Sequence, residues 1–453
     1  MGSLAGLLAE AGYEVRGSDE TAYPPMSTVL RERGIPILPG FRAAHLDDRP
    51  DLVVVGNIAT RANPEAVAAV ERGIPFVSMP QAIGQLFLEG RHPTVVAGTH
   101  GKTTTSALLA WVLFSAGRDP SFLVGGVLRN FDRPFGLGGG TEFVIEGDEY
   151  ETAFFDKGPK FLHYRPRTVI LTSVEYDHAE MFSDLEAVKE AFRSLVTLVP
   201  RDGVLVACAD DPNVREVVAA ARVEPVFYGL EGEAEWRAFP RESGPGGMVL
   251  EVERAGRPFG RFRCSLTGLQ NVRNLLSVVA VAHARGLDGS AIGTGLLTFA
   301  GVKRRQEERG VADGVLVLDD FAHHPTAVRM TLCGTRDRYG GRSLWAIFEP
   351  RTNTTRRSVF QEEYARSFDA ADRIVIAAVD HPERAPEGQR FSAERLVFDL
   401  KARGKAAFYI PTVEEIVGFL AREARPGDVI LVMSNGAFGG IHEKLLAALA
   451  ERG

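Results

Sequence analysis

Sulfur is scarce in this chain. Three cysteines, Cys208, Cys264 and Cys333, stand far apart with no metal-site spacing, which argues against a cysteine-bound metal. An odd, sparse set fits reduced cytosolic thiols that serve as small core residues. An excess of positive charge is also absent. With 52 Lys and Arg against 59 Asp and Glu the formal net charge is −7, so nucleic acid is not expected as a partner. No uncharged stretch approaches the ~18 apolar residues of a membrane span. Met1 is not followed by a basic-then-apolar leader pattern, so no membrane association is expected. Solenoid-period repeats and long low-complexity linkers are missing as well.

What is present is α/β alternation, three times over. A chain of 453 residues is too long for one core and implies two to four domains. In residues 1–90, GSLAGLLAEAGY reads as a helix, and YEVRGSD, DLVVVGN and IPFVSM read as strands. That is a parallel unit of Rossmann type. It opens directly on a helix where such units begin with a strand and a glycine loop. A strand is therefore expected upstream of Met1, since its loss would bare the edge of its neighbour. Residues 91–302 form a second unit with a mainly parallel sheet and a β-rich stretch from Val223 to Ser265. In residues 303–453, GVLVLDD, RSLWAIFEPR, RIVIAAV and DVILVMSNG are strands of another Rossmann-like unit. The expected architecture is α/β in three domains.

The chemistry starts at TVVAGTHGKTTT, Thr94 to Thr105. An apolar strand runs into Gly98-Thr99-His100-Gly101-Lys102, and Thr103-Thr104-Thr105 open a helical segment. The first N–H groups of a helix have no intrahelical acceptor and form an anion site. Lys102 adds a point charge suited to β- and γ-phosphates, and the Thr103 hydroxyl can ligate magnesium. The spacing is shorter than the general phosphate-loop pattern, whose first glycine would fall at Val96. G-K-T alone is a weak signal; with the strand and the Gly98/Gly101 pair, nucleoside triphosphate is favoured.

Other polar residues collect at strand ends. Glu146, Asp148 and Glu149 follow one apolar strand and His178 follows the next. In a parallel sheet such ends face the ligand crevice, so Glu146 is a natural magnesium ligand. Either residue alone would be ordinary strand-end polarity, but two such ends beside a phosphate loop favour catalysis. Asn271 and Asn274 share a helix face, with Asn271 as an N-cap or both amides on a purine edge. Lys303-Arg304-Arg305 reads as a solvated triplet. Asp319, Asp320, His323 and His324 crowd one strand end, which by itself suggests a metal site.

With GTHGKTTT, VIEGDEY, EYDHAE and DDFAHHPTAV in that order, the chain resembles the Mur ligases, ATP-dependent amide-forming enzymes of peptidoglycan precursor assembly. The likeness covers nearly the whole chain. AYPPMSTVL, DEYETAFFDKGPKFLHYRPRTVIL, FEPRTNT and VMSNGAFGGIHEKLL resemble the branch that reuses a tripeptide rather than the branch that adds L-alanine. The resemblance implies ATP and Mg2+, with Gly98, Thr99, His100, Gly101, Lys102, Thr103 and Thr104 around the phosphates. Thr103 and Glu146 match a first magnesium site and His178 a ligand of a second, so Lys102, Glu146 and His178 are the implied catalytic residues. Asn271 and Asn274 match adenine contacts, and Arg305 and Asp320 match residues that close on the nucleotide from the next domain.

The implied reaction joins the lactyl carboxylate of UDP-N-acetylmuramate to the amine of L-alanyl-γ-D-glutamyl-meso-diaminopimelate. Ser18, Asp19 and Asn57, at strand ends of the first unit, are expected on the sugar nucleotide. Arg351, Ser434 and Asn435 are expected on the tripeptide; the arginine is chosen because its planar fork suits a carboxylate. Arg356 and Arg357 are expected at the surface. The chain departs from the family at Ser173, where Asn is usual, and at Gln270, where His precedes Asn271. A cytoplasmic monomer acting on small molecules is expected. An L-alanine ligase, a non-catalytic nucleotide-binding regulator and a phosphate-loop kinase remain open. Joint possession of Glu146 and His178 speaks against the regulator, and the kinase leaves the last unit unexplained.

Overall fold

The strand His92–Ala97 lies inside a ten-stranded sheet, between Thr168–Leu171 and Glu142–Gly147, with all three parallel. Val95, Val96, Ala97, Val169, Ile170 and Leu171 have no exposed surface. Such strands are covered on both faces, which is why they read as unbroken apolar runs rather than alternations. Helices Lys102–Ser115 and Leu269–Ala284 close one face around Leu108, Leu109, Val278 and Val279. The helix Leu185–Val196 closes the other around Phe192 and Leu195. Toward one rim the sheet turns antiparallel through Trp236–Gly244, Gly247–Arg254 and Arg257–Cys264. The computed structural model describes residues 1–22 and 26–452; Tyr23, Pro24 and Pro25 of the AYPPMSTVL stretch lie outside the described residues.

The last part of the chain builds a six-stranded sheet. Its order is Glu307–Ala312, Val315–Asp320, Val429–Met433, Leu344–Phe348, Arg373–Ile376, Ala406–Tyr409, and only the first strand is antiparallel. Two of these escape the sequence reading. EERGVA is a largely exposed edge with no apolar face, and AAFY is four residues long.

The first unit pairs more sparsely than a Rossmann sheet. Gly17–Asp19 pairs with Ile37–Pro39 and Val53–Val55 with Phe76–Ser78, as two separate parallel ladders. Ile37–Pro39 was not expected, because three residues between glycines and prolines show no alternation. Helix starts follow their capping chemistry: the Asn63 carbonyl accepts from Glu65 and Ala66, and Ser78 and Gln81 form a capping box. Of the cysteines, Cys208 and Cys264 are buried but Cys333 is exposed, which corrects the expectation of three core thiols. No helix among the described residues is long and apolar enough to cross a membrane.

Candidate active site

The phosphate loop is shaped by what lies directly behind it. Gly98 has φ +129° and Gly101 φ +83°, conformations that glycine alone adopts without strain. A Cβ on Gly98 would stand 2.8 Å from the Ser173 backbone nitrogen and oxygen, and one on Gly101 would stand 2.5 Å from Asn274 Oδ1. The segment after Thr168–Leu171 ties the loop down. Thr99 N donates to Ser173 O at 2.9 Å, His100 N to Ser173 Oγ at 3.0 Å, and Thr172 Oγ1 to His100 O at 2.6 Å. Ser173 thus anchors the loop through its hydroxyl where relatives are expected to carry Asn. Gly101 caps the helix without a side-chain bond, and Thr103 and Thr104 are buried in its first turn.

Lys102 Nζ bonds Gly98 O at 2.6 Å and Glu149 Oε2 at 3.0 Å. Burial works against its charge, but Glu149 and Asp148 outweigh that and hold the ammonium above its ordinary pKa. Glu149 is almost fully buried and also lies 3.6 Å from His178 Nε2. The sequence shows its carboxylate but gives no sign that it, rather than Glu146, receives the lysine.

Glu146 takes a different position. Its Oε1 accepts from Gly125 N at 2.7 Å, and burial, then repulsion from Asp148, raises its pKa. A half-buried carboxylate short of positive charge fits a cation site. Thr103 borders the same Gly125–Gly126 pair: a Cβ on Gly125 would meet the Glu146 carboxylate and one on Gly126 the Thr103 methyl group. The donor set, a carboxylate and a hydroxyl, suits a hard divalent ion. His178 fits less directly. It has φ +54°, and although burial opposes its charge, Glu180, Asp177 and Glu149 lift its pKa to about 9. It stands here as an imidazolium and would have to shed a proton to ligate.

Asn271 and Asn274 are placed together but not as a cap. Gly268 is the N-cap of Leu269–Ala284, which corrects the N-cap reading of Asn271. Asn271 Nδ2 donates to Thr267 O, and Asn274 Nδ2 donates to Asn271 Oδ1 at 3.2 Å, so Asn274 faces the loop at Gly101.

The basic triplet is not a solvated patch. Only Lys303 is paired on the outside, with Asp132. Arg304 donates to Ser434 O and Gly436 O. Arg305 is half-buried, lies 4.9 Å over the Phe321 ring, and donates to Thr103 Oγ1 at 3.2 Å. Asp320 is occupied by the Gln306 and Ala322 amides. The Asp/His crowding does not form one metal site either. Asp319 turns to Arg304, Arg309 and His442, His323 to Phe321 O, and His324 to Glu175 and Tyr176 O.

The outlying substrate candidates divide. Asn57 lines a cavity between the first unit and the hairpin that follows Glu149, together with Arg61, Phe154, Lys157 and Met181. Ser18 and Asp19 do not line it: Ser18 Oγ is bonded to Glu65 and Asp19 to Thr21 N. In the last unit, Arg351 is 38% exposed, 3.6 Å from Asp380, and lies against Gly436. Arg356 is buried and bonded to Asp380, which corrects its expected surface position, while Arg357 is half-buried and reaches Ala179 O. Ser434 Oγ is held by the buried Glu349, while Asn435 Oδ1 is buried without a partner.

Three family models cover the chain: Mur ligase family, catalytic domain, at residues 1–91; Mur ligase middle domain at 96–282; and Mur ligase, glutamate ligase domain, at 304–436. A UDP-N-acetylmuramate–L-alanyl-γ-D-glutamyl-meso-2,6-diaminoheptandioate ligase of Escherichia coli K12 is 40% identical over 454 residues, 100% of this chain and 96% of that protein. A UDP-N-acetylmuramate–L-alanine ligase of Symbiobacterium thermophilum is 35% identical over 460 residues, 100% of this chain and 93% of its own length. The crystal structure of a murein peptide ligase from Psychrobacter arcticus superposes with a TM-score of 0.74 at 35% identity, covering 99% of this chain and 96% of that one. With a phosphate loop backed by a carboxylate-lined crevice, and matches running from end to end, the chain belongs to the Mur ligase family of ATP-dependent, amide-forming ligases.

Proposed function

We propose that this protein uses ATP to join the lactyl carboxylate of UDP-N-acetylmuramate to the amine of L-alanyl-γ-D-glutamyl-meso-diaminopimelate, as a cytoplasmic enzyme of peptidoglycan recycling. The observation that carries this reading is the end-to-end, 40% identity with a ligase named for that reaction. Residues 1–90 would hold the sugar nucleotide, 91–302 ATP, and 303–453 the tripeptide.

A carboxylate does not condense with an amine at neutral pH, so it must first become an acyl phosphate. Two anions must then approach, and like charges ~4 Å apart repel by about 4 kcal/mol at an effective dielectric near 20. The loop amides and Lys102 meet charge on the transferring phosphoryl group, with the ammonium exchanging Glu149 for phosphate. Thr103 and Glu146 would hold magnesium, which would supply positive charge to offset that repulsion. Arg305 approaches the same place from the third unit through Thr103, which helps exclude water from the acyl phosphate. Arg351 and Asn435 offer the acceptor a guanidinium and a partnerless carbonyl oxygen.

The test is phosphate release from ATP in the presence of UDP-N-acetylmuramate, with tripeptide, with L-alanine and with neither. Release that depends on tripeptide is expected. Release with L-alanine alone would assign the chain to the other branch, and no release with either would make it a nucleotide-binding regulator.

A further inference from the structure

Three side chains meet where the phosphate loop touches the third unit. His100 Nε2 is 3.2 Å from Glu175 Oε2, and His324 Nδ1 is 3.8 Å from the same oxygen. One ligand atom from each lies within 4.8 Å of the others. The imidazoles are 8% and 6% exposed, while Glu175 is 34% exposed, which leaves a way in from solvent. Ligands bound at 2.0–2.1 Å around a tetrahedral ion stand about 3.4 Å apart, so two of the separations already bracket that edge.

The surroundings also fit a bound ion. His324 Nε2 lies 3.2 Å from Tyr176 O. A carbonyl there assigns the proton to Nε2 and leaves Nδ1 as the lone-pair nitrogen, the support that metal-bound histidines ordinarily have. That lone pair now accepts from Thr326 N at 3.2 Å, a weak bond that an ion would replace. Thr326 Oγ1 donates to Glu175 at 2.7 Å and would orient the carboxylate. Two imidazole nitrogens and one carboxylate oxygen favour a borderline transition ion; a hard ion such as Mg2+ prefers oxygens throughout.

We propose that His100, Glu175 and His324 form a Zn2+-type divalent transition-metal site, distinct from the Thr103/Glu146 position, that clips the phosphate loop to the start of the helix Pro325–Arg338. A fourth corner is left for water. His100 and Glu175 belong to the middle unit and His324 to the last, so the ion holds the two together.

The test is calorimetric titration of zinc chloride into chelator-treated full-length protein, without nucleotide and with excess Mg2+. One Zn2+ per chain is expected, with a raised unfolding midpoint. Glu175→Gln and His100→Gln should each weaken binding at least tenfold and abolish the rise in midpoint, while Glu146→Gln leaves both unchanged. Neither of the first two residues caps a helix, so their folding can be checked by circular dichroism independently of His324. Absence of saturable binding, or binding that survives both substitutions or is lost in Glu146→Gln, overturns the proposal. Ligase turnover plays no part in these readouts.

Discussion

The phosphate-loop end and the proposed acceptor end of the crevice are held by different means. At the phosphate loop, neighbouring side chains and backbone constrain the loop backbone: Ser173, Thr172 and Asn274 press on Gly98 to Gly101 so closely that two of the four positions admit no Cβ. The charged groups there are already matched, Lys102 with Glu149. At the proposed acceptor end one charged side chain is only loosely matched: Arg351 stands 3.6 Å from a carboxylate it shares with Arg356, and is more than a third exposed. A pre-paired lysine, its side chain 14% exposed, makes the phosphate-loop end costly to alter. A half-exposed arginine leaves the acceptor end open to exchange its partner for a ligand. Stability and chemistry are therefore coupled at one end and separable at the other.

The largest effect is expected at Lys102. Lys102→Met should lower phosphate release by roughly 10²–10³, as for loss of one preorganised charge-stabilising donor. It should also lower stability, because Glu149 would remain buried with only His178, 3.6 Å away, to face it. Adding Glu149→Gln should restore most of the stability and none of the turnover. Calorimetry and steady-state kinetics on the three variants check this; recovery of activity in the double variant would break the proposed coupling.

Gly101→Ala comes next. A left-handed alanine costs about 1 kcal/mol, and the collision with Asn274 adds to it. The expected readout is a rise in KM for ATP together with a lower unfolding midpoint. Asn274→Ala in the same chain should relieve the collision but not the backbone term, so a full return of the midpoint would show that backbone strain is negligible there.

Arg351→Ala should raise KM for tripeptide about tenfold or more, the worth of a charged hydrogen bond, while KM for ATP and the unfolding midpoint stay put. Lysine should restore part of it, lacking the fork. A larger change in KM for ATP would place Arg351 with the nucleotide and move the acceptor cleft toward Asn435.

The smallest effect sharpens the contrast between the closed middle unit and the last one. Burial pushes the Cys208 and Cys264 thiols up to about 11, whereas Cys333 is exposed. At pH 8 an aromatic disulfide reagent should therefore label one thiol quickly and the other two only on unfolding. Two fast thiols would mean that the middle core opens readily.

Much of this was written locally. The apolar run before Gly98, the two glycines and the lysine define a phosphate loop because strand, turn and helix start are short-range events, each fixed by neighbouring residues. The strand end carrying Glu146 was equally legible, since burial on both faces leaves an unbroken apolar run that stops where polarity begins; His178, expected at the end of the next strand, stands seven residues beyond Leu171, where that strand ends. The edge strand Glu307–Ala312 was not, because its ladder comes from a partner rather than from its own pattern. Partner choice was also beyond the sequence. Nothing in EGDEY tells which of three carboxylates receives Lys102, nothing in KRR tells that Arg305 reaches Thr103, and nothing in AHHP tells that His324 meets His100 rather than Asp320. Those pairings join residues as many as 224 positions apart; they are decided by how the sheets stack and where the third unit docks, through burial and charge that exist only once the chain is folded.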